Sequence, residues 1–277
     1  MQKVFTEFST NAILKVGNEA LLEPYVVSKQ LDLFTFIRTD TFKARINVDN
    51  MPYTIEPNSI VALTNVQYLQ FVYGKDLVVY QFNRDFYCIK DHDHEVSCAG
   101  LLFFGNVHMP VINPNTKELH KLKILHDVFV DELETKDTIQ AEMLRMLMAR
   151  FIIINTRLLK SKEGLVETLS NTKVELLRAF NMLLETHFRR EHSVSFYADK
   201  LFKSPKTLSN NFAKLNTTPL LLIHERIVLE AKRLLIYTDK TAKEIAYDIG
   251  FDDASHLSRL FKKHTKLTPS EFKKQLK

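Results

Sequence analysis

One part of this chain is written twice. ADKL at 198–201 returns as AYDI at 246–249, an offset of 48, and LSNNFAK at 208–214 returns as LSRLFKK at 257–263, an offset of 49. Each copy predicts a short helix, a tight turn and a second helix, with one more residue between the helices in the second copy. That is the helix-turn-helix pattern. The local residues fit those boundaries. Ser204 before Pro205 supplies a hydroxyl cap followed by a residue that needs no amide hydrogen at the first helical position. Asp252 and Asp253 offer carboxylate caps in the second copy. Gly250, the only glycine after Gly164, marks a turn that calls for positive φ. Phe202 stands where the second copy has Gly250, so the first turn must close without that freedom. Thr268-Pro269-Ser270-Glu271 predicts one further helix opened by a capping box.

Between the copies, residues 219–237 read as one long helix with few helix-poor residues. Leu222, Arg226, Leu229, Arg233 and Ile236 run along it on mixed faces. At 1.5 Å per residue it would hold the two units about 27 Å apart, close to the ~34 Å of one turn of duplex DNA. Charge points the same way. Residues 1–172 carry 18 Lys+Arg against 21 Asp+Glu, whereas residues 173–277 carry 20 against 12. A net of about −3 joined to one of +8 suggests that the second part meets a polyanion, although an ordinary solvated basic surface has the same composition.

Residues 246–273, AYDIGFDDASHLSRLFKKHTKLTPSEFK, resemble the C-terminal signature of AraC/XylS-type transcription regulators. The matching positions are Ala246, Gly250, Phe251, Ser255, Arg259, Phe261, Lys262, Thr268 and Pro269. The segments 226–235 and 244–246 resemble the family as well, so the likeness covers about residues 173–277. Three positions depart from the pattern: Leu257 replaces an aromatic, Thr265 a glycine, and Lys273 an arginine. Thr265 leaves the geometry of the last turn open. The resemblance implies double-stranded promoter DNA as the partner, and RNA polymerase and a small-molecule effector as further ones. It leans toward activation. It also implies an N-terminal cupin-like barrel, and names no ligand for it.

The first part of the chain carries its own evidence for β structure. Leu31–Ile37, Ile60–Val66, Tyr68–Tyr73, Leu77–Phe82 and Leu101–Phe104 are rich in apolar, β-branched and aromatic residues. Turn-prone pieces at 50–52, 57–59, 74–76 and 83–85 separate them. After Asn113-Pro-Asn115 the apolar period becomes helical. Leu119, Leu122, Leu125, Val128 and Phe129 form one stripe, and Ile139, Met143, Leu144, Leu147, Phe151 and Ile154 another. These two helices read as a dimerisation pair, or as cover for the barrel. A third helix is expected near Thr172–Arg189. The expected fold is therefore α+β: an N-terminal cupin-like β-barrel with a helical pair, then an all-α domain of two helix-turn-helix units joined by a long helix. The expected boundaries are 1–115 for the sensor barrel, 116–160 for a dimerisation segment giving a homodimer, 161–172 for a linker and 173–277 for the DNA-binding domain.

Helical spacing sorts the second helix of each unit. Leu208 and Phe212, and Leu257 and Phe261, face inward at i, i+4. Lys206, Thr207, Asn210 and Lys214 then face out from the first, and Ser255, His256, Arg259 and Lys263 from the second. Asn210 can pair bidentately with adenine and Arg259 with guanine, and the family resemblance supports both as base-reading positions. Lys214 and Lys263 read as phosphate anchors. His92, His94 and His108 are weak metal candidates. A glutamate after three or four intervening residues beyond the H-x-H is wanted for a cupin metal site, and those positions hold Cys98 or Ala99. A charged loop tip explains KDHDHE equally well. The contrasting class is thus a metal-dependent cupin enzyme whose helical tail serves assembly. No catalytic set emerges, no cofactor is implied, and two cysteines are too few for a disulfide scaffold. With no apolar run of ~18 residues and no signal-peptide pattern at MQKVFTEFST, a cytoplasmic protein without membrane contact is expected.

Overall fold

The structure is a computed structural model that describes residues 2–88, 102–103, 109–162, 171–214 and 217–275. It divides into two compact units, Met1–Ser170 and Asn171–Lys277. The fold class is α+β, as expected.

The first unit holds two antiparallel sheets. The larger has the order β1-β2-β9-β4-β7-β10 and the smaller β3-β8-β5-β6. Their strands are β1 (Lys3–Glu7), β2 (Ala12–Gly17), β3 (Lys29–Gln30), β4 (Phe34–Thr39), β5 (Ala44–Val48), β6 (Met51–Ile55), β7 (Ile60–Leu63), β8 (Tyr68–Tyr73), β9 (Leu77–Phe82) and β10 (Val111–Ile112). Alternation builds the core between the sheets: Ile37, Val61, Leu63 and Val79 from one are buried with Ile46, Val48, Ile55 and Leu69 from the other. The opposite face of the larger sheet is aromatic, and two helices cover it: α1 (Thr116–Glu132), opened by a capping box of Asn115 and Glu118, and α2 (Gln140–Lys162). Phe151 of α2 stands edge-on to Phe36 with ring centroids 4.9 Å apart, and Phe129 of α1 meets Tyr80 at 5.4 Å.

Both helical stripes are split. Leu122, Leu125, Phe129, Leu144, Leu147 and Phe151 are buried, whereas Val128, Ile139 and Met143 stay exposed, as do Ile124 and Met146 outside the stripes. Three strand expectations need correction. The hairpin β1–β2 lies before the first strand expected. Met51 and Pro52, read as a turn, begin β6; the turn is Asp49-Asn50, both at positive φ. Proline is tolerated there because β6 is an edge strand. Leu102 and Phe103 are not in a strand, and the rest of that expected strand lies outside the described residues.

The second unit is all helical: α3 (Asn171–His187), α4 (Val194–Lys200), α5 (Pro205–Ala213), α6 (Pro219–Tyr237), α7 (Ala242–Asp248), α8 (Ala254–Thr265) and α9 (Pro269–Gln275). One core joins them, with Phe180, Phe212, Ile227, Ala231, Ile245, Leu257 and Phe261 all at its centre.

Candidate nucleic-acid interface

The helices α4–α5 and α7–α8 are the two copies of the sequence repeat, and each closes the same way. At the end of α4 the amide of Lys203 donates to the Ala198 carbonyl at 2.9 Å; at the end of α7 the amide of Phe251 donates to the Ala246 carbonyl at 2.9 Å. The residue just before each donor is left-handed, Phe202 at φ 54° and Gly250 at φ 84°. This is a helix stop in which the left-handed residue lets the chain turn back on its last carbonyls. In the second copy a Cβ on Gly250 would lie 2.2 Å from the Arg189 carbonyl oxygen, so glycine is needed for space as well as for φ.

The second helices then start on side-chain caps. Ser204 Oγ accepts from the Thr207 amide at 3.1 Å, with Pro205 at the first helical position. Asp253 Oδ1 accepts from the Ser255 amide at 2.8 Å; of the two expected caps, Asp253 performs the role. Leu208, Phe212, Leu257 and Phe261 are fully buried. That leaves Lys206, Thr207, Asn210 and Lys214 on α5 and its end, and Ser255, His256, Arg259 and Lys263 on α8, all exposed. Two of these hydroxyls are already occupied: Thr207 shares a 2.8 Å hydrogen bond with Ser204, and Ser255 donates to Asp253 at 2.7 Å. Lys262 is exposed beside Lys263 and was missed by the spacing argument, although it lies in the matched signature.

The fields differ between the two helices. Along α8 and its cap, Arg259, Lys262, Lys263 and Lys266 are exposed basic residues. His264 does not add to it. Burial, then Lys263, Lys232 and Lys266, push its pKa below the ordinary value. His224 of α6, its edge-on neighbour at 5.8 Å, is lowered by burial, then by His264, Lys263 and His192. The final turn, left open by Thr265, closes through Lys266 at φ 68°, while Thr265 Oγ1 donates to the Phe261 carbonyl at 2.8 Å.

Beneath this surface the connecting helix α6 buries charge. Arg226 Nε and one terminal nitrogen hold Glu185 at 2.6 and 3.2 Å, and its other nitrogen reaches Glu230 at 3.1 Å. Arg189 holds Glu230 at 2.5 Å, and the Arg226 guanidinium lies 3.8 Å from the Phe188 ring centroid.

Among the described residues no group of three or more His, Cys, Asp and Glu could hold a metal ion. His92, His94 and His108 lie outside the described residues. No described helix is long and apolar enough to cross a membrane.

The second unit is thus a double helix-turn-helix domain. Residues 197–275 match a family described as "Helix-turn-helix domain". The chain is 32% identical over 113 residues to the HTH-type transcriptional activator RhaS of Enterobacter sp. (strain 638), covering 40% of each chain. It is 31% identical over 119 residues to RhaS of Escherichia coli O1:K1 / APEC, covering 42% of each. The chain therefore spans about two fifths of the length of these curated relatives. Among solved structures it is similar to a transcriptional regulator with an AraC-type DNA-binding domain from Chromobacterium violaceum. There the identity is 25% and the TM-score 0.35, over 39% of this chain and 96% of that one. It is also similar to ToxT from Vibrio cholerae O395, at 16% identity and TM-score 0.40, over 100% of this chain and 97% of that one. With its signature residues in the places the sequence resemblance assigned, the second unit holds the matched helix-turn-helix domain and is similar to the corresponding part of the RhaS transcriptional activators.

Proposed function

We propose that this chain is a sequence-specific DNA-binding transcription regulator, an activator rather than an enzyme, working in the cytoplasm. The observation that carries the reading is the pair of matched helices α5 and α8, each with its Leu and Phe buried and its polar face outward. Asn210 and Arg259 read base edges, Lys214 and Lys263 hold phosphates, and Lys206, Thr207, Ser255 and His256 complete the two surfaces. The connecting helix sets one protomer to read two short elements about 10 base pairs apart. Arg259→Ala is expected to cost about 1–3 kcal/mol of binding and to relax preference at one guanine. Lys263→Ala is expected to weaken all sequences alike and to flatten the salt dependence by about one counterion. Competition gel shifts over single-base variants, at several salt concentrations, separate the two. A uniform loss for Arg259→Ala would make it a phosphate contact.

The first unit, with the barrel at 1–115, senses a small-molecule effector, and the chain acts on RNA polymerase at promoters. Support for the polymerase comes from relatives named as transcriptional activators. The segment 116–160 gives a homodimer, supported by the apolar residues that α1 and α2 leave exposed, Ile124, Val128, Ile139, Met143 and Met146. Sedimentation of the full chain is expected to show a dimer at tens of micromolar (on the order of ordinary assay concentrations), and Val128→Lys with Met146→Lys a monomer. A wild-type monomer at that concentration removes the dimer.

A further inference from the structure

Phe202 combines two unfavourable features at one residue. Its backbone is left-handed, at φ 54°, a region that disfavours a residue with a Cβ. Its side chain is 93% exposed, the most exposed large apolar side chain among the described residues of the second unit. Nothing among those residues explains the aromatic. The same turn in the second copy is made by Gly250, and the helix stop at Lys203 and Ala198 uses only backbone atoms. The turn itself would close with glycine.

The surroundings of the ring say what it faces. Lys203, Ser204, Pro205, Lys206 and Thr207 come next as one exposed run, leading into α5. Two exposed lysines thus follow Phe202 within four residues, the Ser204 and Thr207 hydroxyls between and beside them are bonded to each other, and the run leads into the helix that carries Asn210. An exposed apolar ring in a run with exposed lysines suits the edge of a nucleic acid, where phosphates alternate with apolar deoxyribose. An apolar protein partner would not call for two lysines beside the ring.

We propose that Phe202 is a DNA contact of the first helix-turn-helix unit, its ring packed on deoxyribose where α5 enters the groove. The second unit has no counterpart, because Gly250 closes against the Arg189 carbonyl. The two units then bind by different means. The second relies on the exposed basic residues of α8, and the first adds an apolar contact that salt does not screen. This contact rests on the DNA-binding reading of the second unit.

The test uses the full chain and duplexes that the wild type enriches from a random pool. Phe202→Gly suits the left-handed turn, so its urea midpoint should equal or exceed that of wild type. Its affinity for the enriched duplexes should fall about fivefold to tenfold, the worth of burying part of a phenyl ring. The slope of affinity against salt should stay unchanged, since no charge is removed, whereas Lys206→Ala should reduce it. Phe202→Tyr should bind nearly as wild type. The footprint of Phe202→Gly should lose protection at one element only. Equal affinity of Phe202→Gly and wild type overturns the contact, as does a changed salt slope, which would mean that the ring acts by placing the lysines. If the wild type enriches no duplex, the regulator reading falls and the contact with it.

Discussion

Gly250→Ala is expected to destabilise the second unit by on the order of 3 kcal/mol or more. Two costs act together. A left-handed backbone penalises any residue with a Cβ by roughly 1–2 kcal/mol, and the added carbon would sit 2.2 Å from the Arg189 carbonyl oxygen. The atom it meets is backbone, and its neighbours Arg189 Cʹ and Arg190 Cα are close too, at 3.0 and 3.2 Å. Relief therefore requires the end of α3 and the turn to part, an overpacking cost of roughly 1–3 kcal/mol. Urea unfolding followed by helical circular dichroism measures it. A change below about 1 kcal/mol, within the range of a simple Gly→Ala exchange, would mean that the two segments do not meet this closely.

Arg226→Met is expected to cost about 3–5 kcal/mol, because it removes one partner of a buried ion network and leaves the other. Glu185 loses a two-pronged hydrogen bond, and Glu230 keeps only Arg189 and, at 3.8 Å, Arg233. Converting Arg226, Glu185 and Glu230 together to apolar residues of similar volume should recover part of that loss, since the two carboxylates are no longer buried without Arg226, although buried Arg233 loses Glu230. The network also fixes a pH response. Burial alone would raise the Glu230 carboxyl, but Arg226, then Arg189 and Arg233, hold its pKa below the ordinary 4.5. A depressed carboxylate contributes stability that is present above its unfolded value and is lost as pH falls through the folded one. Unfolding measurements should therefore show a stability decline that starts below about pH 4.5 and is shallower in Glu230→Gln. If the single Arg226 variant proves as stable as the triple one, the pairing is not what holds α6.

The second unit was largely legible because its information is local. The repeat gave the element order, Ser204 and the Thr268–Glu271 pair gave helix starts, and the spacing of Leu208 to Phe212 and Leu257 to Phe261 gave the buried faces. The polar network was not legible. Arg226, Glu230 and Arg233 have ordinary surface composition, and only α3 and its end, supplying Glu185 and Arg189 from 41 residues away, make their burial tolerable. Phe202 was readable as an oddity by alignment with Gly250, yet its exposure depends on what surrounds the turn. In the first unit the long strands β8 and β9 were clear from their composition. The hairpin β1–β2 was not, because five and six residues with Lys and Thr between apolar ones give a weak alternation. Met51-Pro52 misled for a related reason: proline reads as a breaker unless the strand is known to be at an edge. That two aromatic layers, Phe36 and Tyr80 against Phe129 and Phe151, would meet is a long-range fact that no window of sequence contains.

The connecting helix α6 ties distance to phase. Each residue added to an α-helix shifts the chain beyond it by about 1.5 Å and also turns it by about 100°. A single inserted residue in α6 would thus barely change the reach between the two readers, but would swing the second away from the duplex. It would also move Arg226 and Glu230 onto different sides relative to α3. Only steps of about seven residues, near two full turns, return the face, and they add roughly 10 Å. On the proposed DNA-binding reading, the spacing of the two elements is therefore held by the protein. A longer step moves the second reader out of phase with the duplex, so target sites for this architecture should vary in their bases far more readily than in their separation.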